Sequence, residues 1–138
     1  HDFAVKAAQP LDLRRKRAGQ LVSKGRLFGA QFTAWLRDGH WLELARAANE
    51  RAAALATLLQ SHKAVRMAWP VQVNEVFVVM PKTLLAHLQA AGVLCYDWYP
   101  DSLPTGFVLD VDEVPVRFVT AWSTSSEELE AFAAVLAG

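Results

Sequence analysis

The chain has 138 residues, 53% of them hydrophobic, which is enough for a folded domain with a substantial core. Its 14 basic and 14 acidic residues balance, so no net charge attracts the whole molecule to nucleic acid or to an anionic membrane. No apolar run approaches the roughly 18 residues of a membrane span, and we expect a soluble protein with neither nucleic-acid nor membrane partners.

A single cysteine, Cys95, cannot form an internal disulfide, and this favours a reducing, cytoplasmic location. Its apolar neighbours predict a small buried side chain. The chain begins at His1 rather than at methionine and lacks the charged-then-apolar pattern of a signal peptide, which suggests a processed or truncated product.

The first part of the chain contains a cluster of cations. Residues 3–8 lean towards a helix that Pro10 interrupts. Four consecutive cations follow at residues 14–17, and they either face solvent or bind phosphate. Nucleic acid is the least favoured ligand because interleaved aromatic residues are missing.

Two helices are predicted next from apolar residues at helical spacing. The first, amphipathic and aromatic, runs from Gln20 to Arg37 and ends at Asp38-Gly39. The second ends near Ser61-His62. The predicted apolar stripes are Leu21, Phe28, Phe32 and Trp35 in the first helix, and Leu42, Ala45, Asn49, Ala52, Leu55 and Leu59 in the second.

Beyond residue 62 the apolar period changes from 3.6 to two residues, which predicts strands. The predicted strands are residues 65–70, 75–80, 93–99 and 115–122, with a minor strand at 107–109. A helix opened by Pro81 and closed by Gly92 lies among them, and a last helix follows Ser125 and Glu128, which have the spacing of a capping box.

The element order after residue 40 is therefore α-β-β-α-β-β-α. We expect an α+β fold: a two-layer sandwich in which helices cover a small, mostly antiparallel sheet, preceded by the amphipathic helix.

The chain shows no self-contained catalytic centre. Its histidines are scattered without ligand spacing, so we expect no metal site. Glycine-rich phosphate loops and nucleophile elbows are absent from the sequence, and we assign no catalytic residue within this chain.

Arg117 is the residue that needs an explanation, because it lies in an apolar strand, where a guanidinium requires an anionic partner or an exit to solvent. An arginine held on a strand presents a planar fork suited to a carboxylate. The residues alone leave two interpretations open, an ordinary ion pair and an anion-binding site.

Several motifs in the same order closely resemble the C-terminal part of low-specificity L-threonine aldolases. These enzymes depend on pyridoxal 5'-phosphate (PLP) and belong to the aspartate-aminotransferase-like fold type I. The resemblance rests on residues 14–20, Ser23-Lys24, residues 41–49, Ala68-Trp69-Pro70, residues 74–78 and residues 116–120.

The resemblance implies that residues 1–39 are the end of a large domain with its linker helix, and that residues 40–138 are a small C-terminal domain. It implies an aldehyde-lyase that cleaves L-threonine or L-allo-threonine to glycine and acetaldehyde through a PLP aldimine. The Schiff-base lysine of the family belongs to the large N-terminal domain, so the resemblance implies a fragment that is inactive alone and binds no PLP.

The resemblance also implies roles for particular residues. Arg117 matches the arginine that binds the substrate α-carboxylate, and without substrate we expect its guanidinium to face water or a stray anion. Lys16 and Lys24 match basic residues near the cofactor of a neighbouring subunit, which implies a homo-oligomer, a dimer of dimers. Two alternatives remain: the C-terminal domain of another fold-type-I PLP lyase or aminotransferase, and a free-standing anion-binding or interaction module.

Overall fold

A computed structural model of the chain describes residues 11, 13–19, 21 and 23–138. The chain divides into two compact units, residues 1–40 and residues 41–138. The helix expected at residues 3–8 lies outside the described residues.

The first unit contains helix α1, Gly25–Leu36. It begins later than predicted, because Ser23 and Lys24 form a turn, and Gln20 lies outside the described residues. A short 3₁₀ helix, Arg37–Gly39, follows, with Asp38 at φ 54° and Gly39 at φ 77°. These left-handed residues explain the predicted stop, since aspartate and glycine adopt this region most readily. No residue of α1 is buried, so its aromatic stripe is exposed.

The second unit contains three α-helices and four strands in the predicted order, with a short 3₁₀ helix, Pro100–Ser102, between the third and fourth strands. They are α2 (His40–Ser61), β1 (Arg66–Met67), β2 (Glu75–Pro81), α3 (Lys82–Ala90), β3 (Tyr96–Asp97), β4 (Glu113–Val119) and α4 (Ser126–Ala137), with α2 starting at the boundary between the units.

The four strands form one antiparallel sheet in the order β1-β2-β4-β3. β2 and β4 pair along their whole length at its centre, whereas both edge strands have only two residues each. Short edges limit pairing with other chains. The predicted small antiparallel sheet is confirmed.

Helices cover one face of the sheet, which confirms the two-layer α+β architecture. Alternate residues of β2 and β4 are buried there, because successive strand side chains point to opposite faces. The core consists of Val76, Val78, Met80, Val116 and Phe118 from the sheet, with Ala52, Leu55, Leu59, Leu85, Leu88, Phe132 and Leu136 from the helices. Phe118 and Phe132 pack edge to face, with ring centroids 5.7 Å apart.

Several predicted details are wrong. Of the strand predicted at 93–99 only Tyr96–Asp97 pairs, and residues 107–109 form no strand. The C-terminal strand spans Glu113–Val119 instead of 115–122. In α2 the buried side is Ala48, Ala52, Leu55, Ala56 and Leu59, whereas Leu42, Ala45 and Asn49 are exposed.

The helix ends follow local rules. Ser125 caps α4 by accepting a hydrogen bond from Glu128 N, while the Glu128 carboxylate accepts one from Ser125 N, which confirms the predicted capping box. Gly92 follows α3 with φ +89°, a conformation that favours glycine and explains why this helix ends there.

One buried polar residue ties the end of β4 to the helical layer. Thr120 is 3% exposed, and its hydroxyl lies 2.8 Å from the carbonyl oxygen of Ala48 in α2. Its backbone N–H donates to Asn74 O, and Asn74 Nδ2 donates to Thr120 O. This Thr120–Asn74 clamp holds the start of β2 against the end of β4.

Cys95 is a buried free thiol, as its apolar neighbours predicted, and burial raises its pKa. Within the described ranges, no helix is both long enough and apolar enough to cross a membrane.

Candidate functional site

The face of the sheet opposite the helices carries polar and aromatic residues of the central strands, and it also contains the buried pair Val79 and Pro115. Glu75 and Phe77 alternate with the buried Val76 and Val78 of β2, and Arg117 lies on the same face of β4. Arg117 is directly opposite Phe77 on one side and Tyr96 on the other. The sequence therefore places a guanidinium at the middle of this face.

Two side chains hold the Arg117 guanidinium. Its Nη1 lies 3.2 Å from Oε1 of Glu75, with side chains 32% and 34% exposed. Its Cζ lies 4.3 Å from the centroid of the Trp98 ring, a cation–π contact. Glu75 is the diagonal cross-strand neighbour, two residues from the position opposite Arg117, within reach of long side chains.

Aromatic rings surround this pair. Phe77 packs edge to face on Trp69 and on Trp98, with centroid distances of 5.1 and 5.7 Å, and Trp98 packs on Tyr99 at 5.1 Å. Three of these rings, those of Trp69, Phe77 and Trp98, border a pocket of about 360 Å³. Its lining residues are Trp69, Pro70, Gln72, Val73, Glu75, Phe77, Trp98 and Ser102. The pocket is thus mainly apolar, with the Glu75 carboxylate at its wall.

A second strand arginine, Arg66 in β1, provides a comparison. It too pairs with a glutamate, Glu113, and its Cζ lies 4.7 Å from the ring centroid of Phe107. The Nε–Nη2 edge of Arg66 is engaged: Nε and Nη2 both donate to the Glu113 carboxylate, and Nη2 also donates to Val108 O. This fork is already occupied.

Arg117 differs because, among the described residues, only its Nη1 donates a hydrogen bond. The edge formed by Nε and Nη2 makes no hydrogen bond to the part of the chain that the structure describes. Two parallel N–H groups at such an edge match the two oxygens of a carboxylate. The geometry therefore offers a bidentate carboxylate site.

The expectation that Arg117 would face only water or a stray anion is wrong, because Glu75 and Trp98 contact it. The ion pair that the residues alone left open is present. The ion pair with Glu75 also leaves the interpretation of an anion site open, since it engages only one of the three guanidinium nitrogens of Arg117.

The two predicted lysines belong to the first unit and Arg117 to the second. Lys16 is exposed on a helical turn, and its carbonyl accepts a hydrogen bond from Gly19 N. Lys24 is exposed at the N-cap of α1, and its side chain makes no cap hydrogen bond. Both are accessible to a ligand, as are the cations at 14–17.

The residues around Arg117 do not by themselves fit PLP. A Schiff base to PLP requires a lysine, and none is present among the residues that line the pocket. In the described part of the chain, no cluster of histidine, cysteine and carboxylate side chains could hold a metal ion. The free Nε–Nη2 edge of Arg117 has the donor geometry that suits a carboxylate.

Sequence reasoning did not assign Glu75, Phe77, Trp69 or Trp98 to the site. The alternation of residues in β2 could have indicated two of them, because it places Glu75 and Phe77 on the face opposite the core. The contact of Trp98 with Arg117 had no local signal, since it depends on the pairing of β3 with β4.

Comparisons with known proteins identify relatives. No family model matches the chain. A low-specificity L-threonine aldolase of Pseudomonas sp. is 32% identical over 132 residues, covering 96% of this chain and 35% of that protein. Its counterpart from Pseudomonas aeruginosa is 32% identical over 126 residues, covering 91% and 33%.

A solved structure of the threonine aldolase of Leishmania major matches with a TM-score of 0.70 and 29% identity, covering 82% of this chain and 30% of that one. The chain thus spans about a third of the length of the curated relatives that it matches. By sequence and by fold, the chain is related to the low-specificity L-threonine aldolases and corresponds to their C-terminal part.

Proposed function

We propose that the chain is the C-terminal part of a PLP-dependent aldehyde-lyase that cleaves L-threonine and L-allo-threonine to glycine and acetaldehyde. Relatives named as low-specificity L-threonine aldolases, aligned over nearly the whole chain, support this proposal. We propose that the chain alone is inactive and binds no PLP, because the pocket beside Arg117 has no lysine among its lining residues.

In this proposal Arg117 binds the α-carboxylate of the amino-acid substrate. The observation that carries it is the free Nε–Nη2 edge on a central strand, in contrast to the occupied fork of Arg66. Bidentate binding fixes the carboxylate in one plane, and this orients the substrate before reaction. Arg117 holds the substrate and takes no part in bond breaking.

The remaining parts of the chain have proposed roles as well. Residues 1–39 would be the end of the large domain with its linker helix, and residues 40–138 the small domain. The exposed apolar side chains of α1, among them Phe28 and Phe32, support this division because a neighbouring domain would cover them. We further propose a cytoplasmic dimer of dimers, in which Lys16 lies near the active site of the neighbouring subunit and Lys24 near its cofactor phosphate.

The test of the carboxylate role is kinetic. In the complete enzyme, replacing Arg117 by alanine should lower kcat/KM for threonine. The decrease should correspond to a loss of about 2–5 kcal/mol of transition-state stabilisation, because the substitution removes a charged, hydrogen-bonded contact. Arg117→Lys should recover only part of the loss, because lysine keeps the charge without the fork.

Arg66→Ala is the matched control. It also removes a strand arginine from a glutamate pair and an aromatic ring, but its fork is already occupied, so KM for threonine should stay within about twofold of the wild type. An unchanged kcat/KM in Arg117→Ala would contradict the proposed role. An enzyme that binds PLP but transaminates instead of releasing acetaldehyde would place the chain in another fold-type-I class.

A further inference from the structure

The free edge of Arg117 can serve a ligand only if the guanidinium keeps its orientation. An arginine side chain has many rotamers, and ordering it on binding costs free energy. Here the side chain is already held at two points that come from different strands: Glu75 begins β2, and Trp98 follows β3.

Both holding residues are themselves fixed. Glu75 follows Asn74, whose backbone and side chain form the Thr120–Asn74 clamp. The backbone N–H of Trp98 donates to Pro115 O at 2.7 Å, and its ring packs on Phe77 at a centroid distance of 5.7 Å. Glu75 therefore lies in the sheet itself, and Trp98 is tied to β4 by a backbone hydrogen bond just beyond the end of β3.

The two contacts involve different parts of the Arg117 guanidinium. Glu75 accepts a hydrogen bond from Nη1 and restrains that nitrogen, while the Trp98 ring, with its centroid 4.3 Å from Cζ, restrains the centre of the guanidinium. The in-plane edge of Nε and Nη2 is what remains. A cation–π contact uses no N–H donor, so the guanidinium beside Trp98 keeps its remaining hydrogen-bonding capacity.

The sign of the charge on Glu75 also matters. A carboxylate beside Arg117 repels an anionic ligand, so electrostatic attraction cannot be the benefit of having it there. Glu75 can favour binding in another way, by ordering the Arg117 side chain before the ligand binds.

We propose that Glu75 and Trp98 are positioning residues that orient Arg117, so that its Nε–Nη2 edge receives one substrate carboxylate. The inference rests on the proposed function, since it takes threonine as the ligand of Arg117. It adds two residues that touch the arginine and act through it.

Kinetics of the complete enzyme separate the hydrogen bond of Glu75 from its charge. Glu75→Ala removes both, and KM for threonine should rise about three- to tenfold, with kcat within about twofold, because one rotamer-rich side chain must now be ordered on binding. Glu75→Gln keeps an oxygen that accepts from Nη1 and removes the charge, so its KM should equal that of the wild type or fall below it. Equal KM values in Glu75→Ala and Glu75→Gln would overturn the proposal.

Trp98 gives an independent measurement if Glu75→Ala fails to fold. Trp98→Leu should raise KM by a similar factor, whereas Trp98→Phe, which keeps a ring face, should restore most of the affinity. An unchanged KM in Trp98→Leu would also overturn the proposal. Glu113→Ala is the control for stability, because it breaks the other strand ion pair, and KM should not change.

The outcomes distinguish this inference from the function on which it rests. A wild-type enzyme that does not cleave threonine refutes the function, and an Arg117→Ala variant with unchanged kcat/KM refutes the carboxylate role of Arg117. An enzyme that needs Arg117 but tolerates both Glu75→Ala and Trp98→Leu refutes only the positioning role.

Discussion

Replacing Thr120 by valine should destabilise the second unit through the loss of one buried hydroxyl. Valine has nearly the same shape, so packing is retained while the hydrogen bond to Ala48 O disappears. A buried acceptor that loses its donor costs about 1–3 kcal/mol. We expect the lower half of that range, about 1–2 kcal/mol, because the Ala48 carbonyl lies within α2 and also has an intrahelical partner available.

The assay is urea unfolding followed by far-ultraviolet circular dichroism. At a slope of about 2 kcal/mol per molar urea, the middle of the usual range, the expected loss lowers the midpoint by roughly 0.5–1 M without changing the slope. Thr57→Val is the matched control: its hydroxyl also bonds a helix carbonyl, Ala53 O at 3.1 Å, but it is exposed, so water replaces the bond. That variant should stay within about 0.5 kcal/mol of the wild type.

Equal free energies of unfolding for Thr120→Val and Thr57→Val would contradict this expectation. Such a result would mean that burial does not strengthen the contribution of this hydroxyl. A reduced slope for Thr120→Val would mean something different, namely that the substitution changes the compactness of the native or unfolded state.

Two further predictions concern stability. Hydrogen bonds from Arg66 hold the pKa of Glu113 below its usual range. A carboxylate whose pKa is lowered in the folded state contributes stability that is complete above the unfolded pKa of about 4.3 and is lost as pH falls through the folded pKa. The difference in unfolding free energy between the wild type and Glu113→Gln should therefore be largest near neutral pH and shrink in acid. A difference that does not depend on pH would contradict this cause. Ser125→Ala removes one side of the capping box of α4 and should lower the free energy of unfolding by about 1 kcal/mol in the same urea assay. Ser125→Gly should lower it by less, because glycine is tolerated at an N-cap. Equal stability of Ser125→Ala and the wild type would show that this cap contributes nothing measurable.

The local signals in the sequence were reliable where a few neighbouring residues set the structure. The capping box at Ser125 and Glu128 and the glycine after α3 were both predicted, because caps depend on residues within one turn. The period of two in β2 predicted that strand to within one residue.

Predictions failed where pairing with a distant strand decided the outcome. The apolar run at 93–99 has strand propensity, yet only Tyr96 and Asp97 find partners in β4. Residues 107–109 find none and form no strand, although the Val108 carbonyl accepts a bond from Arg66. Strand propensity describes a fit to a neighbouring strand, and a single segment does not contain that neighbour. The buried side of α2 shifted for the same reason, since the sheet selects which helical stripe it covers.

The sequence by itself determined the order of helices and strands, the α+β class and the unusual arginine in an apolar strand, because periodicity and caps are local properties. Only the tertiary structure decided the surroundings of Arg117. Glu75 is 42 positions away in the chain, and it meets Arg117 because β2 and β4 pair in one particular register. Register is set by the whole sheet, so the contacts that hold Arg117 and leave one edge of its guanidinium free could not be derived from either strand alone.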